Sequence, residues 1–196
     1  MKTPIFEEYF LCLIKRPKFG YHLLIGAILC CIPIAHFFAF GYLYQVSNSV
    51  SEKQRLQLPE WTNWGQLFKD GLSFSVPWFF FWLCPVILAS LLKYGFAELN
   101  INIIGTLTML GGLSLATCLF PAALFFMLKT GTPRALLDYA GILNLCVRYR
   151  WQLLIPLLVA LAILLALPQI YGFAYFASSL VYLPYCLVLW TQEVRS

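Results

Sequence analysis

The 196-residue chain reads as an all-α integral membrane protein, with four to five transmembrane segments and interfacial amphipathic helices beside them. Three observations carry that reading. Hydrophobic residues make up 61% of the chain and charged residues 11%, against about 45–50% and about 25% in soluble domains. The mean hydropathy is +0.80. The apolar residues also gather into runs of about 20, the length an α-helix needs to cross the hydrocarbon core. A soluble globular protein is thereby excluded. The net charge of +5 is too small and too scattered for a nucleic-acid surface. The expected partners are the lipid bilayer and a protein partner or second copy of the chain, with no nucleic acid.

The whole chain, 1–196, is expected to form a single membrane domain. Its N-terminal arm, 1–19, is weakly amphipathic and mixes Glu7 and Glu8 into apolar residues, so no cleavable signal peptide is expected. The first apolar segment, 21–44, has Pro33 near its middle. Pro33 divides it into arms of about 12 residues, each reaching roughly 18 Å. This segment either re-enters, dipping in and returning on one side, or crosses.

An interfacial helix is expected over 59–70, with Pro59 in its first turn and Gly71 at its end. At 100° per residue, Trp61, Trp64, Gly65 and Phe68 share one face and Thr62, Asn63, Gln66 and Asp70 the other. Two tryptophans on the apolar face suit the headgroup level. Membrane segments follow at 72–92 and 103–128. In the latter, Gly112 and Ala116 have the spacing of a close helix approach, and Thr106, Thr108, Ser114 and Thr117 could bond a neighbouring helix. Pro121 is expected to kink its end.

A second interfacial helix is expected over 133–150, with Leu136, Tyr139, Ala140, Leu143 and Val147 as its apolar stripe. Segments 151–168 and 171–190 complete the set. Segments two with three and four with five are expected to form hairpins.

The basic residues bear on topology. Four lie in the N-terminal arm (Lys2, Lys15, Arg16, Lys18), three in the first connection (Lys53, Arg55, Lys69), four in Lys129–Arg150 and one at the end, Arg195. Lys93 stands alone after segment two. Five crossings would split the charges almost evenly. A re-entrant first segment would put 12 of the 13 on one side, as the positive-inside rule favours.

An ionisable residue at membrane depth is a candidate site by default, and here there is little to consider. Segments two to five contain no Asp, Glu, Lys, Arg or His. His22 lies at the edge of segment one, and His36 inside it is the candidate intramembrane polar site. The sequence has no HExxH, GxSxG, CxxC or Gly-rich phosphate loop. Its seven cysteines read as small buried hydrophobes. The expectation is a non-enzyme with no catalytic, cofactor-binding or metal-binding residues, and no cofactor.

Gly41-Tyr42, then Leu58-Pro59-Glu60-Trp61 with Trp64, Phe68 and Asp70-Gly71, form one set of motifs. It continues with Phe120-Pro121-Ala122-Ala123-Leu124, Leu137-Asp138-Tyr139 and Arg148-Tyr149-Arg150. The chain thereby resembles, over nearly its whole length, an uncharacterised family of prokaryotic multi-pass membrane proteins known only as a domain of unknown function. The resemblance implies a location in the prokaryotic cytoplasmic membrane and carries over no catalytic residue. It marks Gly41, Tyr42, Leu58, Pro59, Glu60, Trp61, Trp64, Asp70, Gly71 and Pro121 as signature or structural positions. The function expected is a non-enzymatic scaffold or accessory subunit of a membrane complex; the alternative is a small transporter or channel.

Overall fold

The computed structural model describes residues 6–53, 58–166 and 171–193, and among them all regular structure is helical. The helices are α1 (Phe6–Ile14), α2 (Phe19–Cys31), α3 (His36–Lys53), α4 (Trp64–Trp78), α5 (Cys84–Glu98), α6 (Asn102–Thr130), α7 (Tyr139–Arg148), α8 (Arg150–Ala166) and α9 (Tyr171–Glu193). A π-helical turn, Phe79–Leu83, joins α4 to α5, and a 3₁₀ turn, Pro133–Leu137, precedes α7. Among the described residues three stretches are long and apolar enough to cross a membrane: Trp64–Glu98, Asn102–Thr130 and Gly172–Thr191. Helices α7 and α8 would supply a fourth as a broken pair. Residues 1–5 of the N-terminal arm and 167–168 of the fourth apolar segment lie outside the described residues. The chain falls into two compact units, Met1–Ser75 with Trp151–Ser196, and Val76–Arg150.

In the first unit the apolar segment 21–44 is two helices. Pro33 cannot continue a helix, and it disfavours helical geometry in the residue before it. Accordingly α2 stops at Cys31, and α3 starts at His36 after a four-residue turn. The two pack as an antiparallel hairpin, with the rings of His22 and Tyr42 stacked at 5.6 Å. The second arm is longer than the sequence predicts. Helix α3 passes Tyr44 and runs to Lys53, because Val46, Ser47 and Val50 are buried and Gln45 finds a partner.

Helix α9 is the centre of this unit, packed against α1, α2 and α3 and buried along most of its length. Small residues let its neighbours approach. A Cβ on Gly26 of α2 would overlap the Phe176 ring, and one on Gly172 would press on Cys30 and Cys31. The Ser178 hydroxyl donates to the Ala160 carbonyl at 3.4 Å, tying α9 to α8.

The expected interfacial helix over 59–70 is corrected. Helix α4 begins at Trp64, where Asn63 Oδ1 accepts from the Gln66 N–H at 3.3 Å, and it continues through Gly71 into the apolar stretch. Leu58, Pro59 and Glu60 lie outside any helix and Trp61 is in a turn. Glycine stops a helix only when its backbone is free to leave it, and Gly71 is held by a tertiary crossing.

In the second unit α5 and α6 form an antiparallel hairpin around Asn100, whose φ of 59° an asparagine tolerates. Gly112 meets Ala89, so this glycine does serve a close approach. Thr106, Thr108, Ser114 and Thr117 instead donate to carbonyls four residues back in α6 itself, leaving no proton for a neighbour. The helix continues through the buried Pro121 to Thr130 and ends on Gly131, at φ 66°, whose N–H donates to the Met127 carbonyl at 2.9 Å.

The expected helix over 133–150 is two pieces. Asp138 divides them and caps α7, its carboxylate accepting from the Gly141 N–H at 2.9 Å. Ile142 is buried, while Tyr139, Leu143 and Val147 leave an apolar stripe exposed.

Candidate functional site

The signature residues other than Pro121 lie in the first unit. Gly41 and Gly71 lie where α3 and α4 meet: a Cβ on Gly41 would fall on the Leu67 carbonyl, and one on Gly71 on the Phe37 carbonyl. Only glycine allows backbones so close. Beside this crossing the Asp70 carboxylate accepts from Gln45 Nε2 at 2.7 Å and from Gln66 Nε2 at 2.8 Å, so it bridges α3 and α4. Phe38 closes the same seam against Trp64 at 5.3 Å and Phe68 at 5.7 Å.

Tyr42 is fully buried as the middle ring of a three-ring stack. His22 lies 5.6 Å to one side, and Trp61 lies 4.3 Å to the other with its plane tilted by only 10°. The stack ties α2 and α3 to the turn that follows Leu58-Pro59-Glu60. Offset aromatic pairs of this kind contribute about 0.5–1.5 kcal/mol beyond the area they bury. His22 Nδ1, the Tyr42 hydroxyl and Trp61 Nε1 are all buried without a hydrogen-bond partner among the described residues.

Next to the stack is a cleft of about 580 Å³, lined by Arg16, Pro17 and Lys18 from the α1–α2 turn, His22 of α2, Gln45 and Ser49 of α3, and Leu58, Pro59 and Glu60. Lys18 holds φ 64°, a left-handed conformation that costs a side-chain-bearing residue about 1–2 kcal/mol. Arg16, Lys18 and Glu60 are exposed, and none forms an ion pair among the described residues. The Ser49 hydroxyl donates to the Val46 carbonyl at 2.8 Å rather than to His22. Two cations, one carboxylate and an imidazole around an open volume are equipped to bind a charged group.

Two predicted positions lie elsewhere. His36 is at the hairpin tip, its ring 4.4 Å from Phe37 and 5.1 Å from Phe40. Pro121 is in α6 of the second unit. Among the described residues no group of three or more His, Cys, Asp or Glu side chains is placed to hold a metal ion. Sequence reasoning did not single out Arg16, Lys18, Gln45 or Ser49 as site residues. Their signal was the fold-back at Pro33, which brings the start of α2 beside the second half of α3.

A family model described as a protein of unknown function (DUF4013) matches residues 24–181. No curated protein and no solved structure matches the chain.

Proposed function

The chain belongs to the DUF4013 family of proteins of unknown function, and we propose that it is a multi-pass, non-enzymatic protein of a prokaryotic cytoplasmic membrane, acting as a scaffold or accessory subunit of a membrane complex. The observation that carries this reading is the use made of the signature residues. Gly41 and Gly71 serve a helix crossing, Asp70 a bridge between α3 and α4, and Tyr42 and Trp61 a stack. These positions hold segments together; they do not aim nucleophiles or bases at a reacting group. The transporter alternative is weakened because the hydroxyls of α6 that would line a path bond to their own helix.

The topology we favour is the re-entrant one. Arg16–Lys18 precede the first apolar segment and Leu58–Glu60 follow it, yet both line one cleft. A single crossing between them would separate the two by about 30 Å of hydrocarbon. Helix α2 has 13 residues and reaches only about 20 Å at 1.5 Å per residue. The hairpin therefore dips in, and both connections stay on the cytoplasmic side with 12 of the 13 basic residues.

Purification of the full chain from its native membrane in mild detergent tests the function. The expected result is one co-purifying protein at fixed stoichiometry; a homogeneous chain without a partner, thermally stabilised by a small-molecule substrate, overturns the reading. Glu52→Cys on a background lacking the seven native cysteines tests the topology. It should resist an impermeant reagent applied from outside, and labelling there would defeat the re-entrant hairpin.

A further inference from the structure

We propose that the cleft of the first unit binds a phosphate ester that also carries an ammonium group, with Arg16 and Lys18 holding the phosphate and Glu60 the ammonium. This inference deepens the account of the cleft and does not rest on the scaffold reading. The charges facing the cleft are of both signs and form no ion pair among the described residues: Arg16 and Lys18 on the α1–α2 turn, and Glu60 from a separate stretch of chain. Cations and a carboxylate free to meet on one wall would ordinarily pair. Here they are held on different segments, as a ligand with separated charges requires.

The positions of both segments are fixed by structure behind them. Lys18 sits in a left-handed conformation at the start of α2, and Glu60 is followed by Trp61, which stacks on Tyr42 at 4.3 Å. His22 gives an independent sign of a ligand. It lines the cleft, it is only 6% exposed, and its Nδ1 has no hydrogen-bond partner among the described residues, although buried polar atoms are nearly always satisfied. The volume of about 580 Å³ falls within the range of small-molecule sites. Leu58 and Pro59 add an apolar wall for the carbon chain of such an ester.

Phosphate chemistry follows from the side chains. Arginine presents a planar fork that matches phosphate oxygens and lysine a compact point charge, while a carboxylate in the same cleft would repel a simple polyanion. An ammonium group on the ligand turns that repulsion into a contact. Two sources share this chemistry, the headgroup of an ethanolamine phospholipid and a soluble phosphoethanolamine.

The test uses the full chain, delipidated in detergent and titrated with phosphatidylethanolamine, phosphatidylglycerol or soluble phosphoethanolamine while thermal stability is followed. Phosphatidylethanolamine is expected to stabilise at a concentration at least tenfold lower than phosphatidylglycerol. Glu60→Gln should bring the two lipids together, and Arg16→Gln with Lys18→Gln should weaken both at least tenfold. Stabilisation by soluble phosphoethanolamine with the same dependence on Arg16, Lys18 and Glu60 supports the same chemistry and names a soluble source. Equal response of the wild type to the two lipids, or an unchanged response in the double variant, overturns the proposal. The conservative Arg16→Lys variant, expected to retain binding, and the ligand-free melting curve of each variant separate lost binding from lost folding.

Discussion

The two units solve one solvation problem in opposite ways. In the first, the span candidate α9 is wrapped by α1, α2 and α3, with Phe176, Leu180, Cys186, Leu187 and Trp190 all buried within the chain. In the second, the α5–α6 hairpin packs on one seam and leaves Leu88, Leu91, Ile103 and Leu107 exposed, each by 60% or more. Hydropathy alone does not separate these cases, because lipid and a packed neighbour are equally good surroundings for leucine. Glycines mark the seams in both: Gly26 and Gly172 allow α2 and α9 to touch and Gly112 faces Ala89 between α5 and α6, whereas Gly95 and Gly111, off that seam, have open space where a Cβ would go.

The largest expected effect tests burial directly. Phe176→Ala removes a ring that is fully buried against Gly26 and Tyr42, and truncations of this kind cost about 3–5 kcal/mol. At about 2–4 °C per kcal/mol for a chain of this size, the melting temperature should fall by roughly 6–20 °C. Phe80→Ala, at a ring 60% exposed, should stay within about 0.5 kcal/mol. Equal losses would show that the two units are not solvated differently.

Next comes the helix crossing. Gly41→Ala would drive a methyl group into the Leu67 carbonyl of α4, and the obstacle is backbone, which cannot rotate away. A loss near the upper end of the ~1–3 kcal/mol typical of overpacking is expected in thermal melts. A neutral result would mean that α3 and α4 do not meet at Gly41. Asp70→Ala sharpens the same seam more gently. It removes the acceptor for Gln45 and Gln66, and since the carboxylate is half-exposed, about 1.5 kcal/mol is expected, the lower end for hydrogen bonds to a charged group.

These seams also show what the sequence could reveal. The break at Pro33 is legible because proline acts through its own backbone, and so is the α5–α6 pairing; the Asp138 cap that splits the helix expected over 133–150 is not. Gly71 is not, because its role depends on Phe37 and Gly41 at the far end of a connection. Read locally it is a helix stop; in the fold it is a contact surface inside α4. The spacing of Trp61 and Trp64 predicts one face of one helix, yet Trp61 precedes the helix and stacks on Tyr42. The cleft was illegible for the same reason. Arg16, Lys18, Ser49 and Glu60 are distant in sequence and meet only because the hairpin returns.

The smallest expected effect separates two adjacent glycines in α6. Gly112 faces the Ala89 methyl of α5, so a Cβ there would collide with it, while a Cβ on Gly111 meets nothing within 4 Å. In water, replacing a mid-helix glycine by alanine gains about 0.5–1 kcal/mol. In a bilayer the gain should be smaller, because a chain without water to bond stays helical even when its tertiary contacts are lost. Gly111→Ala should therefore raise stability by no more than about 0.5 kcal/mol, whereas Gly112→Ala should lower it by about 1–2 kcal/mol as α5 is pushed away. Melting curves of the two variants in one detergent decide the matter. If their order were reversed, α6 would have to be rotated by about 100°, one residue of helical turn, relative to the face it turns toward α5.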